Sequence, residues 1–113
     1  MDISSYFQAL EISPYESADE QKNIFGKKVI KNIKGGPFPE FANYDIAIIG
    51  VGEDRGSVRN DGCCDAPDRV REKLYALKTS THNYRIADLG NLIPGHEVQD
   101  TYAALSSIMV ELL

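Results

Sequence analysis

The sequence feature that most constrains the fold of this chain is a continuous apolar run, DIAIIGV, from Asp45 to Val51. Uninterrupted apolar runs of strand length are typical of strands that are covered on both faces, as in a parallel sheet. Parallel strands are joined by crossover connections that usually contain a helix. The run therefore predicts an α/β fold.

A polar loop and a helix are predicted directly after this strand. The loop runs from Gly52 to Asp65 and contains several glycines. In the segment that follows, Asp65 is a candidate N-cap and Pro67 lies in the first turn, where proline is favoured. Apolar residues recur there at helical spacing, and the predicted helical face consists of Ala66, Val70, Leu74 and Leu77.

The rest of the chain repeats the same order of elements. The segment from Tyr84 to Leu89, YRIADL, predicts a second strand. A last helix is indicated by an apolar stripe with steps of four and three, which consists of Val98, Tyr102, Leu105, Met109 and Leu112. The order strand, loop, helix, strand, helix predicts a small parallel sheet, with strands near 45–51 and 84–89 and flanking helices.

The first 43 residues have a less regular pattern. Ile3, Tyr6, Phe7 and Leu10 have the spacing of one helical face. The apolar residues of 24–33 fit a helix and a strand equally well, and the run GGPFPEF then interrupts regular structure. We therefore interpret 1–43 as an N-terminal extension and 44–113 as the βαβα part of an α/β domain.

Composition and charge exclude several classes of partner. A net charge of -5 and a pI of about 4.9 argue against a nucleic-acid-binding protein, which usually has a basic surface. The chain has no apolar run of transmembrane length and no signal peptide at its start. The adjacent pair Cys63 and Cys64 is not a disulfide framework. We expect a cytoplasmic protein that binds neither nucleic acid nor membrane.

The loop after the first strand contains the candidate substrate-binding residues. Ligands of open α/β sheets bind at the carboxyl ends of the strands, where this loop begins. The candidates are Asp54, Arg55, Arg59 and Asn60. The alternative is a solvated loop whose charged side chains pair with one another.

Metal, nucleotide and catalytic sites have weaker support in the residues. His82 and His96 have no partner at metal-ligand spacing, and two adjacent cysteines make a shared tetrahedral site awkward. The segment from Gly50 to Gly56 suggests a dinucleotide site but lacks the third glycine of that motif. We therefore predict no metal ligand and no catalytic residue, and a nucleotide-binding domain stays open as an alternative.

The end of the chain suggests that the fold continues. The last helix runs to the final residues, IMVELL, without a capping residue. A parallel sheet of two strands is also smaller than usual. We expect a truncated domain that self-associates, as a homo-oligomer, through its sheet edge or through the apolar stripe of the last helix.

The block from Tyr44 to Leu77 resembles the opening of the arginase, agmatinase and formimidoylglutamase superfamily, the ureohydrolases. Its members begin with an apolar strand ending in G-V or G-x-P, then an acid, a glycine-rich loop and G-P-x-x-I-R at the start of a helix. The string V-R-N-x-G is closest to the formimidoylglutamase branch, and IADLGNL resembles the second strand of the family with its D-x-G-D/N end. The matching residues of the first block are Gly50, Val51, Asp54, Gly56, Gly62, Pro67, Val70 and Arg71.

The resemblance implies a partial three-layer arginase-like fold and the hydrolysis of a C–N bond in a small formimino or guanidino substrate. In the family, a hydroxide bridging two manganese ions performs this reaction. The motifs that bind the ions, G-G-D-H, D-A-H-x-D and S-x-D-x-D-x-x-D-P, are absent from this chain. The resemblance thus implies an N-terminal fragment that is inactive alone, with Arg59 and Asn60 at the rim of the cleft in the full-length parent.

Two departures from the family pattern bear on this loop. Ala66 replaces the glycine before the proline, and Cys63 and Cys64 stand where an arginine and small residues are usual.

The alternative function is a complete, small α/β binding or regulatory module that self-associates.

Overall fold

The α/β class is confirmed in the computed structural model of the chain, which describes residues 2–11, 24–55, 62–78 and 84–113. Short 3-10 turns lie at Ser4–Tyr6, Phe41–Asn43 and Cys63–Asp65. The strands are β1 (Phe7–Gln8), β2 (Ile30–Lys31), β3 (Ile46–Val51) and β4 (Ile86–Leu92). The helices are α1 (Phe25–Lys28), α2 (Ala66–Leu74) and α3 (Val98–Leu112).

β4 is the central strand of the sheet. β3 pairs with it in parallel, from Ile46 opposite Ile86 to Val51 opposite Leu92. The short strands β2 and β1 pair with β4 in parallel and antiparallel orientation, respectively. Ala87 pairs with both β3 and β2, and Leu92 pairs with both β3 and β1. The short strands β1 and β2 therefore lie on the edge of β4 opposite β3.

The sheet is therefore mixed and larger than the predicted two-stranded parallel sheet. The difference comes from the first 43 residues, which contribute β1 and β2. The helical face predicted for Ile3–Leu10 is wrong, because only a 3-10 turn forms before β1. Both structures considered for 24–33 occur there in succession, as α1 and β2.

The two long helices cover opposite faces of β4. Ala87 and Leu89 point to one face, where they join Ile108 of α3 in the hydrophobic core. Asp88 alternates to the other face, where it contacts side chains at the end of α2. The buried core cluster consists of Ile3, Phe7, Tyr44, Ala87, Leu89, Leu92 and Ile108.

Helix α2 forms where predicted but buries a different face. Pro67 lies in its first turn, as expected, while Asp65 makes no side-chain cap bond. The predicted apolar face is largely exposed, at 60% for Val70 and 57% for Leu77. The buried side chains are instead Arg71 and Tyr75. The polar contacts of these two side chains with Asp88 explain the difference.

Helix α3 also forms where predicted. Its N-terminus is fixed by a capping box, in which Glu97 and Asp100 each bind the backbone of the other. Leu105 and Leu112 of the predicted stripe lie against the core, whereas Tyr102 and Met109 are exposed. Among the described residues, no helix is both long and apolar enough to cross a membrane.

Candidate functional site

A buried ion pair joins α2 to the centre of the sheet. The guanidinium of Arg71 donates to both carboxylate oxygens of Asp88, from Nε at 2.8 Å and from Nη2 at 2.9 Å. Arg71 is 2% exposed and Asp88 is 0% exposed. Buried charges are tolerated when they are paired and hydrogen-bonded in good geometry, and a bidentate pair meets this condition.

Neighbouring groups complete the hydrogen bonding of this pair. The Asp88 carboxylate also accepts from the hydroxyl of Tyr75 at 2.5 Å and from the backbone N–H of Gly90 at 3.0 Å. The other terminal nitrogen of Arg71 donates to Asp68 and Asn91, and Asn91 in turn donates to Asp68. This hydrogen-bonded cluster holds α2 in position against β4.

A second polar cluster lies at the carboxyl ends of β3 and β4 and centres on Arg55. Its guanidinium donates to the carboxylate of Glu53, and to the backbone carbonyls of Gly95 at 2.8 Å and His96 at 2.7 Å. Thr101 of α3 donates to Glu53 at 2.9 Å. The Arg55 side chain therefore connects the loop after β3 to the loop after β4.

The electrostatics of this second cluster are clearest at Glu53. Hydrogen bonds from Arg55 are the main cause that lowers the pKa of the Glu53 carboxyl from 4.5 to about 2, with a smaller contribution from Thr101. The same contact raises the pKa of the Arg55 guanidinium. Both groups are thus charged at neutral pH and bound to each other.

The structure describes two of the four predicted substrate-binding residues, Asp54 and Arg55. The side chain of Arg55 is engaged by the contacts above. Asp54 accepts a hydrogen bond from the backbone N–H of Gly62 at 3.0 Å, which ties the two ends of the loop together. Arg59 and Asn60 lie outside the described residues. The alternative, in which the charged side chains of the loop pair with one another, accounts for the contact between Glu53 and Arg55. Substrate contact by the four candidate residues stays a prediction.

Sequence reasoning gave no role in the two clusters to six of their residues: Glu53, Arg71, Tyr75, Asp88, Asn91 and Thr101. The sequence analysis places Arg71 only in the block that resembles the family, and it places Asp88 only in a predicted strand. An arginine flanked by apolar helical positions, followed by an aspartate within an apolar strand, is the signal that could have suggested a buried pair. Thr101 and Glu53 have no comparable signal, because their contact spans 48 residues of chain.

No metal centre forms within the described part of the chain. Residues 2–11, 24–55, 62–78 and 84–113 contain no group of three or more histidine, cysteine, aspartate or glutamate side chains that could hold an ion. His82 lies outside these residues, His96 is exposed, and Asp88 is already bound to Arg71. The described residues therefore do not fit a centre of two manganese ions.

The fold and the two clusters define an α/β protein whose loops meet at the carboxyl edge of a largely parallel sheet. This is the edge at which α/β proteins bind ligands. The described geometry supplies a rigid framework at that edge, since Arg71 fixes the helix and Arg55 fixes the loops.

The chain is similar to the formimidoylglutamase of Halobacterium salinarum (strain ATCC 29341 / DSM 671 / R1), with 32% identity over an alignment of 84 residues. The match covers 67% of this chain and 27% of that protein, so the chain spans about a quarter of the length of this relative. The similarity supports an origin in the arginase family and extends no further than the family. No family model matches the chain, and no solved structure matches it significantly.

Proposed function

We propose that this chain is the N-terminal portion of a formimidoylglutamase-like metallohydrolase, which cleaves a C–N bond of a formimino or guanidino substrate. The observation that carries the proposal is the similarity to a formimidoylglutamase over 67% of the chain. The buried ion pair is consistent with it, because Arg71 and Asp88 come from the two blocks that resemble the family.

In this proposal, the chain supplies scaffold and cleft rim, while the catalytic centre belongs to the parent protein. Two manganese ions in the parent would provide the bound hydroxide, on ligands that this chain does not contain. Arg55 acts as a positioning residue that holds the two loops together. Arg59 and Asn60 remain the candidates for contact with a substrate carboxylate.

The proposal is tested with the complete product of the gene. We expect the reading frame to continue past Leu113 into a G-G-D-H string, and the full product with Mn²⁺ to hydrolyse formimidoylglutamate or a guanidino compound. The 113-residue chain, assayed under the same conditions, is expected to be inactive. A full product that binds Mn²⁺ and yet hydrolyses neither class of substrate would contradict the proposal.

The role of the loop is tested by Arg59→Ala in the full product. If Arg59 binds a substrate carboxylate, KM rises about tenfold or more, the range expected for loss of a charge-assisted hydrogen bond. The matched control is Arg69→Ala, because Arg69 is an exposed helical arginine whose ion pair with Glu72 is long, at 3.6 Å. Wild-type kinetics for both variants would remove Arg59 from the site.

A second candidate function is a small self-associating α/β binding or regulatory module. It is favoured by the exposed apolar side chains on α3, which are Tyr102, Met109 and Val110. This module would form a homo-oligomer that covers α3. The reading frame separates the two functions, because the enzyme requires a frame that continues past Leu113 into a G-G-D-H string and the module does not.

A further inference from the structure

A cavity of about 360 Å³ lies where β3 begins and α3 ends, and its lining includes Tyr44 and Leu112. Its volume is in the range of small-molecule sites, which is about 300–1,000 Å³. Near the start of α3, Thr101 contacts Glu53 at the carboxyl edge of the sheet. At about 1.5 Å of rise per residue, Leu112 lies roughly 16 Å further along the helix. The cavity is therefore at the opposite end of the molecule from the loop after β3.

Aromatic side chains form three walls of this cavity, which we call the aromatic cavity. The rings of Phe41 and Tyr44 meet edge to face, with centroids 5.9 Å apart and an angle of 68° between their planes. Phe38 is the third wall, and its ring packs against Phe7 at 5.7 Å. Tyr44 is buried in the core, whereas Phe41 is 62% exposed. Phe41 thus stands at the mouth, and core packing fixes the other two rings.

The rim of the aromatic cavity is acidic. Asp2 and Glu111 both line the cavity and are both exposed. A hydrogen bond from the backbone N–H of Ser4 lowers the pKa of the Asp2 carboxyl, so this group is charged at neutral pH. Glu111 lies in the last turn of α3, which contains no basic residue, at the end of the helix dipole that favours positive charge. The mouth therefore has a negative potential, and no lysine or arginine among the described residues lines it.

The lining favours a cation that carries no N–H groups. Aromatic faces attract cations, and quaternary ammonium groups are the ligands that aromatic cages typically bind. An ammonium or guanidinium with N–H groups needs hydrogen-bond acceptors when it leaves water. The side chains of Ile3, Pro39 and Leu112, which also line the cavity, offer no such acceptor. A quaternary ammonium loses no hydrogen bond on entry, and the acidic rim still attracts its charge.

We propose that the aromatic cavity binds a small quaternary ammonium cation. The cation lies against the rings of Phe38, Phe41 and Tyr44, and the carboxylates of Asp2 and Glu111 neutralise its charge at the rim. This site is additional to that of the proposed function and does not depend on it, because all five residues belong to this chain.

The proposal is tested by titrating the 113-residue chain with choline and following the ring signals by nuclear magnetic resonance. The matched ligand is neohexyl alcohol, which has the same shape with a neutral carbon in place of the nitrogen. We expect choline to shift the rings of Phe38, Phe41 and Tyr44 and to bind about tenfold more tightly than the alcohol, as a partly desolvated cation–π contact allows. Equal affinities, or no shift of these rings with choline, would overturn the proposal.

The aromatic wall is tested by Phe41→Leu, which keeps an apolar side chain and removes the ring. Choline is expected to bind about tenfold more weakly to this variant, while the affinity for neohexyl alcohol changes little. Tyr102→Leu is the matched control, because Tyr102 is also a largely exposed aromatic residue, at 57%, and does not line the cavity. Equal weakening of both ligands by Phe41→Leu would reduce the cavity to a general apolar surface and overturn the proposal.

The acidic rim is tested independently by Glu111→Gln, which keeps the size of the side chain and is usable even if Phe41→Leu does not fold. Removal of one exposed charge should weaken choline by about two- to fivefold and leave neohexyl alcohol unchanged. Glu72→Gln is the control, since Glu72 is exposed on α2 and does not line the cavity. Unchanged choline affinity in Glu111→Gln would contradict the role of the rim.

The same titration of the full gene product tests for other occupants of the cavity. Choline binding to the 113-residue chain but not to the full product would assign the cavity to residues that follow Leu113. Ring signals that respond to protein concentration and not to choline would assign it to a second copy of the chain. Either result overturns the inference and leaves the proposed function standing, whereas an inactive full product that binds choline overturns the proposed function alone.

Discussion

The buried pair of Arg71 and Asp88 allows a sharp test of what holds α2 against the sheet. We consider the substitution Arg71→Met, which keeps most of the side-chain volume and removes the charge. The Asp88 carboxylate, which is 0% exposed, then keeps its hydrogen bonds from Tyr75 and Gly90 but loses the positive charge beside it. Removing one member of a buried ion pair usually costs about 3–5 kcal/mol, because the remaining charge stays out of water.

The size of this effect is large relative to the whole stability of the fold. At about 0.05–0.15 kcal/mol per residue, a domain of 113 residues is stable by roughly 6–17 kcal/mol. Asp88→Asn alone is expected to cost a similar amount to Arg71→Met, since it removes the carboxylate that faces the guanidinium. The double variant removes both charges. Tyr75 and Gly90 donate to different oxygens of Asp88, so the carbonyl oxygen of the amide introduced at position 88 can accept from Gly90, while the amide nitrogen donates to the rotatable hydroxyl of Tyr75. Its cost is therefore expected to be smaller than the sum of the two single costs by about 3 kcal/mol or more.

The assay is urea denaturation of the wild type, both single variants and the double variant, with the free energy of unfolding taken from midpoint and slope. Arg69→Met is the control and is expected to cost less than about 0.5 kcal/mol, because its ion pair is exposed. Additive single and double costs, within about 0.5 kcal/mol, would refute the reasoning. The two residues would then stabilise the fold independently and not as a pair.

Two further predictions concern the loops and the central strand. Since the folded-state pKa of Glu53 is lowered from 4.5 to about 2, its ion pair stabilises the protein above the ordinary pKa, and this contribution is lost as the pH falls from about 5 towards 2. Glu53→Gln should therefore lose less Tm than the wild type across this pH window, as followed by circular dichroism. Glu72→Gln, at an exposed position, should lose as much Tm as the wild type. Equal losses of Tm in the wild type and both variants would contradict the assignment. Gly90→Ala should destabilise the fold by more than the ~1–3 kcal/mol of an unfavourable backbone conformation, because Gly90 has φ 94° and its added Cβ would overlap the Gln8 carbonyl oxygen. Gly35→Ala is the control, with φ 85° and no atom within 4 Å, and equal losses of unfolding free energy in the two variants would exclude a role for the contact with β1.

The parts of the fold that were predictable are those specified by local pattern. The continuous apolar run predicted β3, and proline in the first turn predicted the start of α2. β1 and β2 were not predictable, because each is two residues long and is defined by pairing with a strand far along the chain. Periodicity favoured Val70 for the buried face of α2, but the bidentate partner of Arg71 lies 17 residues further on, where no local rule refers to it.

The candidate site was predictable only at the level of its loop. The prediction located the polar loop at the carboxyl end of β3, and the structure describes Asp54 and Arg55 there. It could not foresee that Arg55 binds backbone carbonyls 40 and 41 residues away, because carbonyls are present at every position and leave no mark in a sequence. The roles of Arg59 and Asn60 remain predictions for the parent protein.

The clamp formed by Arg55 has an evolutionary consequence for the two loops that it joins. On one side it depends on side chains, since both Glu53 and Arg55 must be kept. On the other side it depends on the carbonyls of Gly95 and His96, which any residue provides. Substitutions at position 96 can therefore accumulate without loosening the clamp, while a single change at position 55 removes the side chain that binds both loops. Variation in this region should be permitted unequally, with a tolerant position 96 and intolerant positions 53 and 55. Position 95 is also intolerant, because a Cβ added at Gly95 would lie 2.4 Å from the Cβ of Asp100.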